Sequence, residues 1–101
     1  RIVLDKLLVD EGSAVKAVAR GRVAYVGWMH RYGLIVVLEH DGNFYSLYGH
    51  NQSVKISAGE WVEAGQVITT VGNTGGHERA GLYFELRKAS ISVDPADWLK
   101  K

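Results

Sequence analysis

The 101-residue sequence has no cysteine, which excludes a disulfide framework, a thiolate zinc site and a cysteine nucleophile. It also lacks an apolar run of membrane-spanning length: the longest, Leu34-Ile35-Val36-Val37-Leu38, falls far short, so no membrane insertion is expected. No charged-then-apolar signal segment opens the chain. Charge of either sign is not in excess. Twelve Lys+Arg against eleven Asp+Glu leave a formal +1, without the basic surplus of a phosphate-tracking protein, and nucleic acid is not an expected partner. Linkers, charge blocks and low-complexity tracts are missing as well. The serines show no nucleophile-elbow pattern, and the glycine-rich loop carries no phosphate-cradling lysine.

What is present describes one small globular domain over residues 1–101, 47% hydrophobic, with a single modest core. Arg1-Ile2-Val3-Leu4 already reads like a strand, without a start methionine. The domain is therefore expected to be the C-terminal part of a longer protein whose targeting information lies upstream. Twelve glycines and one proline punctuate short runs rich in Val, Ile, Tyr, Phe and Trp, and no stretch carries a 3.6-residue apolar stripe. The pattern predicts an all-β fold, with strands over 14–18, 22–29, 34–39, 44–48, 66–71 and 82–87. Asp41-Gly42 between two apolar runs predicts a hairpin whose positive φ values fall on those two residues. A spacing repeats: Gly12-x-x-Val15-x-Ala17 and Gly59-x-x-Val62-x-Ala64, each followed by a further glycine, Gly21 or Gly65, suggest two matching β units. Asp94-Pro95-Ala96-Asp97-Trp98-Leu99 has a capping aspartate and a proline at a first helical position, predicting a C-terminal helical turn.

His30, His40, His50 and His77 are the only nitrogen ligands available for a zinc site. A compact β site needs a His-x-His pair to place two rings on one strand face, and the sequence has none. His30 and His40 flank one predicted strand and should lie at its opposite ends. His50 follows Leu47-Tyr48-Gly49 at a strand end, where the glycine lets it face a cleft. His77 lies in the polar loop Asn73-Thr74-Gly75-Gly76-His77-Glu78-Arg79, where a solvated turn is the simpler reading. The aromatics Trp28, Tyr32, Tyr45, Tyr48 and Tyr83 fall on or beside strands, as half-buried sheet residues or interface anchors.

Taken in order, these segments resemble the LytM or lysostaphin-like zinc endopeptidase family over essentially the whole chain. Glu11-Gly12-Ser13-Ala14-Val15-Lys16-Ala17 with Gly21-Arg22-Val23 is similar to its opening, and Tyr32-Gly33 through Glu39-His40 to its central strand. Leu47-Tyr48-Gly49-His50 resembles its Tyr-x-His turn. Gly72-Asn73-Thr74-Gly75 and Leu82-Tyr83-Phe84-Glu85-Leu86-Arg87 resemble its last blocks, followed by Val93-Asp94-Pro95. The resemblance implies a small LytM-like sandwich/barrel hybrid with short hairpins. Active members hold zinc on the His and Asp of a His-x-x-x-Asp motif and on the second His of a His-x-His motif. Here Ile2 and Lys6 are counted at the first two positions, Tyr83 stands at the third, and Gly81 stands where the first histidine of the pair would be. His50 keeps the position of the family's other catalytic histidine.

Without that donor set no zinc cofactor is expected, and nothing would lower the pKa of a water toward neutrality. The family has a degenerate, EnvC- and NlpD-type branch that activates periplasmic N-acetylmuramoyl-L-alanine amidases during cell separation. Tyr48-Gly49-His50-Asn51-Gln52-Ser53, Gly81-Leu82-Tyr83-Phe84-Glu85 and Pro95-Ala96-Asp97-Trp98-Leu99 resemble the EnvC type. The resemblance implies a periplasmic, non-catalytic amidase activator whose groove contacts are Lys6, Tyr32, Tyr48, His50, Tyr83 and Arg87, with peptidoglycan as a further possible partner. Lys6 has the alternative of a solvated edge-strand charge, and Arg87 that of an internal ion pair near Glu85 or with Glu39. The competing functions are a peptidoglycan endopeptidase using His50 and His77 with an unusual metal set, and a passive cell-wall binder.

Overall fold

The computed structural model describes residues 2–7, 12–72 and 81–88, with β1 given by its backbone alone. Nine strands run through them: β1 Ile2–Leu7, β2 Ala14–Lys16, β3 Gly21–Met29, β4 Gly33–His40, β5 Phe44–Gly49, β6 Asn51–Val54, β7 Trp61–Val62, β8 Val67–Val71 and β9 Leu82–Lys88. They form two antiparallel sheets. The larger has the order β1-β9-β5-β4-β3-β7, and the smaller β2-β8-β6. The expected all-β sandwich is what the sequence folds into, and each of the six predicted strands is present. The short β6 and β7 were not anticipated. The predicted C-terminal helical turn at 94–99 and the loop around His77 lie outside the described residues.

Alternation decides what each sheet face meets. Val23, Val36, Leu38 and Tyr48 point from the large sheet toward the small one and pack with its Val15, Ile68 and Val71, and with Val62 of β7, in one buried cluster. Their strand neighbours Ile35, Val37, Tyr45 and Leu47 point the other way and form a second cluster with Tyr32. The long apolar run of β4 is thus split between two clusters by its period of two. At about 1.5–3 kcal/mol for each large buried apolar side chain, these clusters supply most of the folding drive.

The hairpin between β4 and β5 differs from the predicted geometry by one residue. Gly42 (φ 77°) and Asn43 (φ 63°) take the left-handed conformations, not Asp41. His40 pairs with Phe44 across a three-residue loop, and that register moves the strained positions toward β5. The repeated spacing is half-real. Val15 and Val62 are both core residues, but β2 pairs with β8 whereas β7 pairs with β3, so the two units serve different sheets.

Candidate functional site

One end of the large sheet gathers three residues of the predicted set. β5 ends at Gly49, and the chain then turns through His50 with φ at 63°, a conformation a non-glycine residue adopts only under constraint. The constraint is visible. His50 N–H donates to the Tyr32 carbonyl at 2.7 Å, and its own carbonyl accepts from Gly72 N–H at 3.1 Å. The following Asn51 is buried and ties three strands. Its amide donates to the carbonyls of Leu34 and Tyr48, and its oxygen accepts from the Thr69 hydroxyl. His50 is thus held by its backbone on both sides and is only 2% exposed.

Tyr83 packs beside it. Gly49 pairs with Tyr83 across β5 and β9, and a Cβ at position 49 would come within 3.2 Å of the Tyr32 carbonyl and 3.3 Å of Tyr83 Cβ. The missing side chain is what lets the tyrosine lie close to the sheet. The Tyr83 ring meets Tyr32 edge-on at a centroid distance of 5.2 Å and His50 edge-on at 6.1 Å. Such T-shaped contacts align the positive ring edge with the negative face of the next ring.

From Tyr83 the same strand face continues through Glu85 to Arg87, since β9 repeats every two residues. The Tyr83 hydroxyl donates to Glu85 Oε1 at 2.6 Å. Arg87 Nε donates to Glu85 Oε2 at 2.8 Å, and Nη2 lies 2.5 Å from the same oxygen. Glu85 is fully buried. A carboxylate there is tolerable because both oxygens accept charge-assisted or phenolic hydrogen bonds. Arg87 therefore has an internal partner in Glu85, one of those offered by the simpler sequence reading, and Glu39 lies 3.6 Å from Arg22.

Two predicted positions need correction. Tyr48 is not on this face. It pairs with Phe84, one residue out of phase with Tyr83, and points between the sheets at 1% exposure. Its hydroxyl accepts from Val18 N–H at 3.0 Å and donates to Ser46 Oγ at 2.9 Å. Burial pushes the phenol above its ordinary pKa, and those two hydrogen bonds partly oppose the rise. Ile2, counted at a zinc-ligand position, pairs with Leu86, three residues along β9 from Tyr83, roughly 10 Å at the rise of a strand. Lys6 lies in the irregular stretch between the Leu4–Phe84 and Leu7–Leu82 pairs, where two residues of β1 face Tyr83. It is on an edge strand of the large sheet, as its simpler reading had it.

Residues 6–95 match Peptidase family M23. The chain belongs to that family. It is 51% identical over 90 residues to the murein hydrolase activator EnvC of Escherichia coli, an alignment covering 89% of this chain and 22% of the relative. With the murein hydrolase activator NlpD of Escherichia coli it shares 38% over 91 residues, 89% of this chain and 24% of the relative. The chain thus spans about a quarter or less of these two relatives. The catalytic domain of lysostaphin from Staphylococcus simulans has the same fold, with a TM-score of 0.77 at 31% identity over 93% of this chain and 75% of that one.

An M23 peptidase fold raises the question of zinc, and the donors present answer poorly to it. Tyr83, which the family resemblance puts at the position of the ligating histidine, is a phenol whose proton is directed to Glu85. Among the described residues no three His, Asp or Glu side chains converge to hold a metal ion. A neutral phenol is a weak zinc donor, and Glu85 is already engaged by Arg87. The site as built is a packed aromatic cluster, with Tyr32 and His50 buried and Tyr83 half-buried, braced by a buried ion pair.

His40 marks the opposite end of the same sheet. Its Nδ1 lies 2.8 Å from the Arg20 carbonyl and its Nε2 2.7 Å from Ser46 Oγ, so both ring nitrogens are occupied. His30 sits in the turn after β3, at the other end of β4 from His40 as predicted. A cavity of about 270 Å³ opens beside His40, between Arg20, Arg22 and Trp61. Trp61 is 56% exposed and carries the Arg20 guanidinium 4.4 Å from its ring centre.

Proposed function

We propose that this chain is a non-catalytic M23 domain that activates a periplasmic N-acetylmuramoyl-L-alanine amidase, with the face around Tyr83 as its docking surface. The observation that carries the reading is the hydrogen bond of Tyr83 to Glu85, at a position where the family resemblance expects a zinc-binding histidine. A side chain whose hydroxyl is committed to a buried carboxylate is suited to fixed contact, not to holding a metal. The names of EnvC and NlpD as murein hydrolase activators support the same reading.

Tyr83 is half-buried and held by the buried rings of Tyr32 and His50, so it is a preordered contact that loses little conformational entropy on docking. Lys6 on β1 and Arg87 on β9 flank them. Activation needs only that the chain bind the open form of the amidase more tightly than the form in which an inhibitory helix covers the amidase's own zinc site. A tenfold preference shifts that equilibrium by about 1.4 kcal/mol.

The test is dye release from labelled peptidoglycan by a zinc-loaded amidase, by this chain, and by the mixture, with zinc present throughout. Strong release by the mixture alone is expected. Release by the chain alone would establish a hydrolase instead. Cosedimentation with insoluble peptidoglycan, without any effect on the amidase, would establish a passive wall binder.

A further inference from the structure

Glu85 is an unusual choice for its position. Its β-pairs are Leu47 on β5 and Val3 on β1, and its side chain is wholly buried on the face that carries the second apolar cluster. A leucine there would fill the space without desolvating a charge, and a buried ion pair seldom gains stability over such a replacement. What a carboxylate does, and a leucine cannot, is fix the direction of its neighbours. One oxygen takes the Tyr83 hydroxyl and the other takes Arg87 Nε and Nη2. Residues 83, 85 and 87 thereby become a single braced unit on one strand face.

We propose that Glu85 is a positioning residue for partner recognition: it locks Tyr83 and Arg87 into one preformed, charge-compensated docking face at the His50 end of the sheet. The proposal rests on the activator reading above and specifies how that same face is built. A guanidinium already neutralised by Glu85 does not act as a lone cation. The matching partner segment is therefore one that offers apolar side chains to the Tyr83 edge, with no need for an acidic run opposite Arg87. Rigidity is the gain. Both side chains would otherwise have to be ordered at the moment of binding, at a cost in affinity.

The experiment measures the concentration of the chain that gives half-maximal stimulation of a zinc-loaded Escherichia coli N-acetylmuramoyl-L-alanine amidase on dye-labelled peptidoglycan. Wild type is compared with Glu85→Gln, Glu85→Asp and Tyr83→Phe, each first checked for a cooperative thermal transition. Glu85→Gln keeps the shape and loses the charge. It should raise the half-maximal concentration about tenfold, the scale of one hydrogen bond to a charged group. Glu85→Asp, which restores the charge on a shorter arm, should recover part of that loss. In the free chain, the Arg87 Nε–H signal should exchange slowly with solvent in wild type and rapidly in Glu85→Gln, a change that a purely space-filling role would not produce.

A folded Glu85→Gln that half-saturates at the wild-type concentration overturns the proposal. If Glu85→Gln fails to fold, Tyr83→Phe decides: unchanged half-saturation overturns it and a rise of several-fold supports it. Wild type that stimulates no amidase overturns the activator reading and this proposal with it, an outcome distinct from wild-type stimulation that is indifferent to residue 85.

Discussion

Tyr48 and Tyr83 stand on neighbouring strands of one sheet, one residue out of phase, and the faces they occupy serve different ends. Tyr48 is sealed between the two sheets, with its hydroxyl shared by Val18 N–H and Ser46. Tyr83 lies on the opposite face, against Tyr32 and His50, with its hydroxyl turned to Glu85. The first tyrosine closes a polar gap in a hydrophobic core. The second completes the aromatic cluster of the proposed docking face. The difference shows that in a β domain the pairing register, more than the residue type, assigns a side chain to stability or to recognition.

The widest separation of the two roles is expected from alanine substitutions. Tyr48→Ala should cost about 3–5 kcal/mol, as for other large aromatic core truncations, and calorimetry should find the chain largely unfolded at 37 °C. Tyr83→Ala should keep a cooperative transition but weaken amidase activation by about tenfold or more, the range of an interface hot spot. Equal loss of stability in both would erase the distinction between the faces.

A smaller effect should appear in alkaline solution. Because burial raises the Tyr48 phenol in the folded state, the native chain holds that proton where the unfolded chain releases it. Stability is thus unaffected by this group below about pH 10 and falls as pH rises above it, by up to 1.4 kcal/mol for each pH unit until the folded value is reached. Chemical denaturation between pH 8 and 11 checks the sign. Tyr48→Phe should start from a lower stability, about 1 kcal/mol for its lost hydrogen bonds, and show a weaker alkaline decline.

The smallest change is expected at the far end of the sheet. Arg20 and Glu63 form an exposed ion pair at 3.3 Å, so Glu63→Gln should alter stability by less than about 0.5 kcal/mol. Activation should be untouched. An activation defect there would move the docking surface toward Trp61 and His40.

The strands were readable because alternation and glycine turns are local signals, and β3, β4, β5, β8 and β9 all carry them. β6 and β7 carry too few residues for a period to emerge. The aromatic end of the site was partly legible through the motif Leu82-Tyr83-Phe84-Glu85 and through Gly49 before His50. The face of Tyr48 was not, since it follows from the pairing of β5 with β9. Glu85 was missed as a site residue because a glutamate in a strand reads as a solvated charge. The available signal was the spacing Tyr83-x-Glu85-x-Arg87, which on a strand brings an acceptor between two donors.

The central claim, that the face around Tyr83 is the docking surface, is tested most directly by amide hydrogen exchange on the chain with and without a saturating amidase. Binding should slow exchange in the segments around Tyr32, His50 and Tyr83 and leave those around His40, Phe44 and Trp61 unchanged. Protection confined to the His40 end, or none at either end in a mixture that activates, would contradict it.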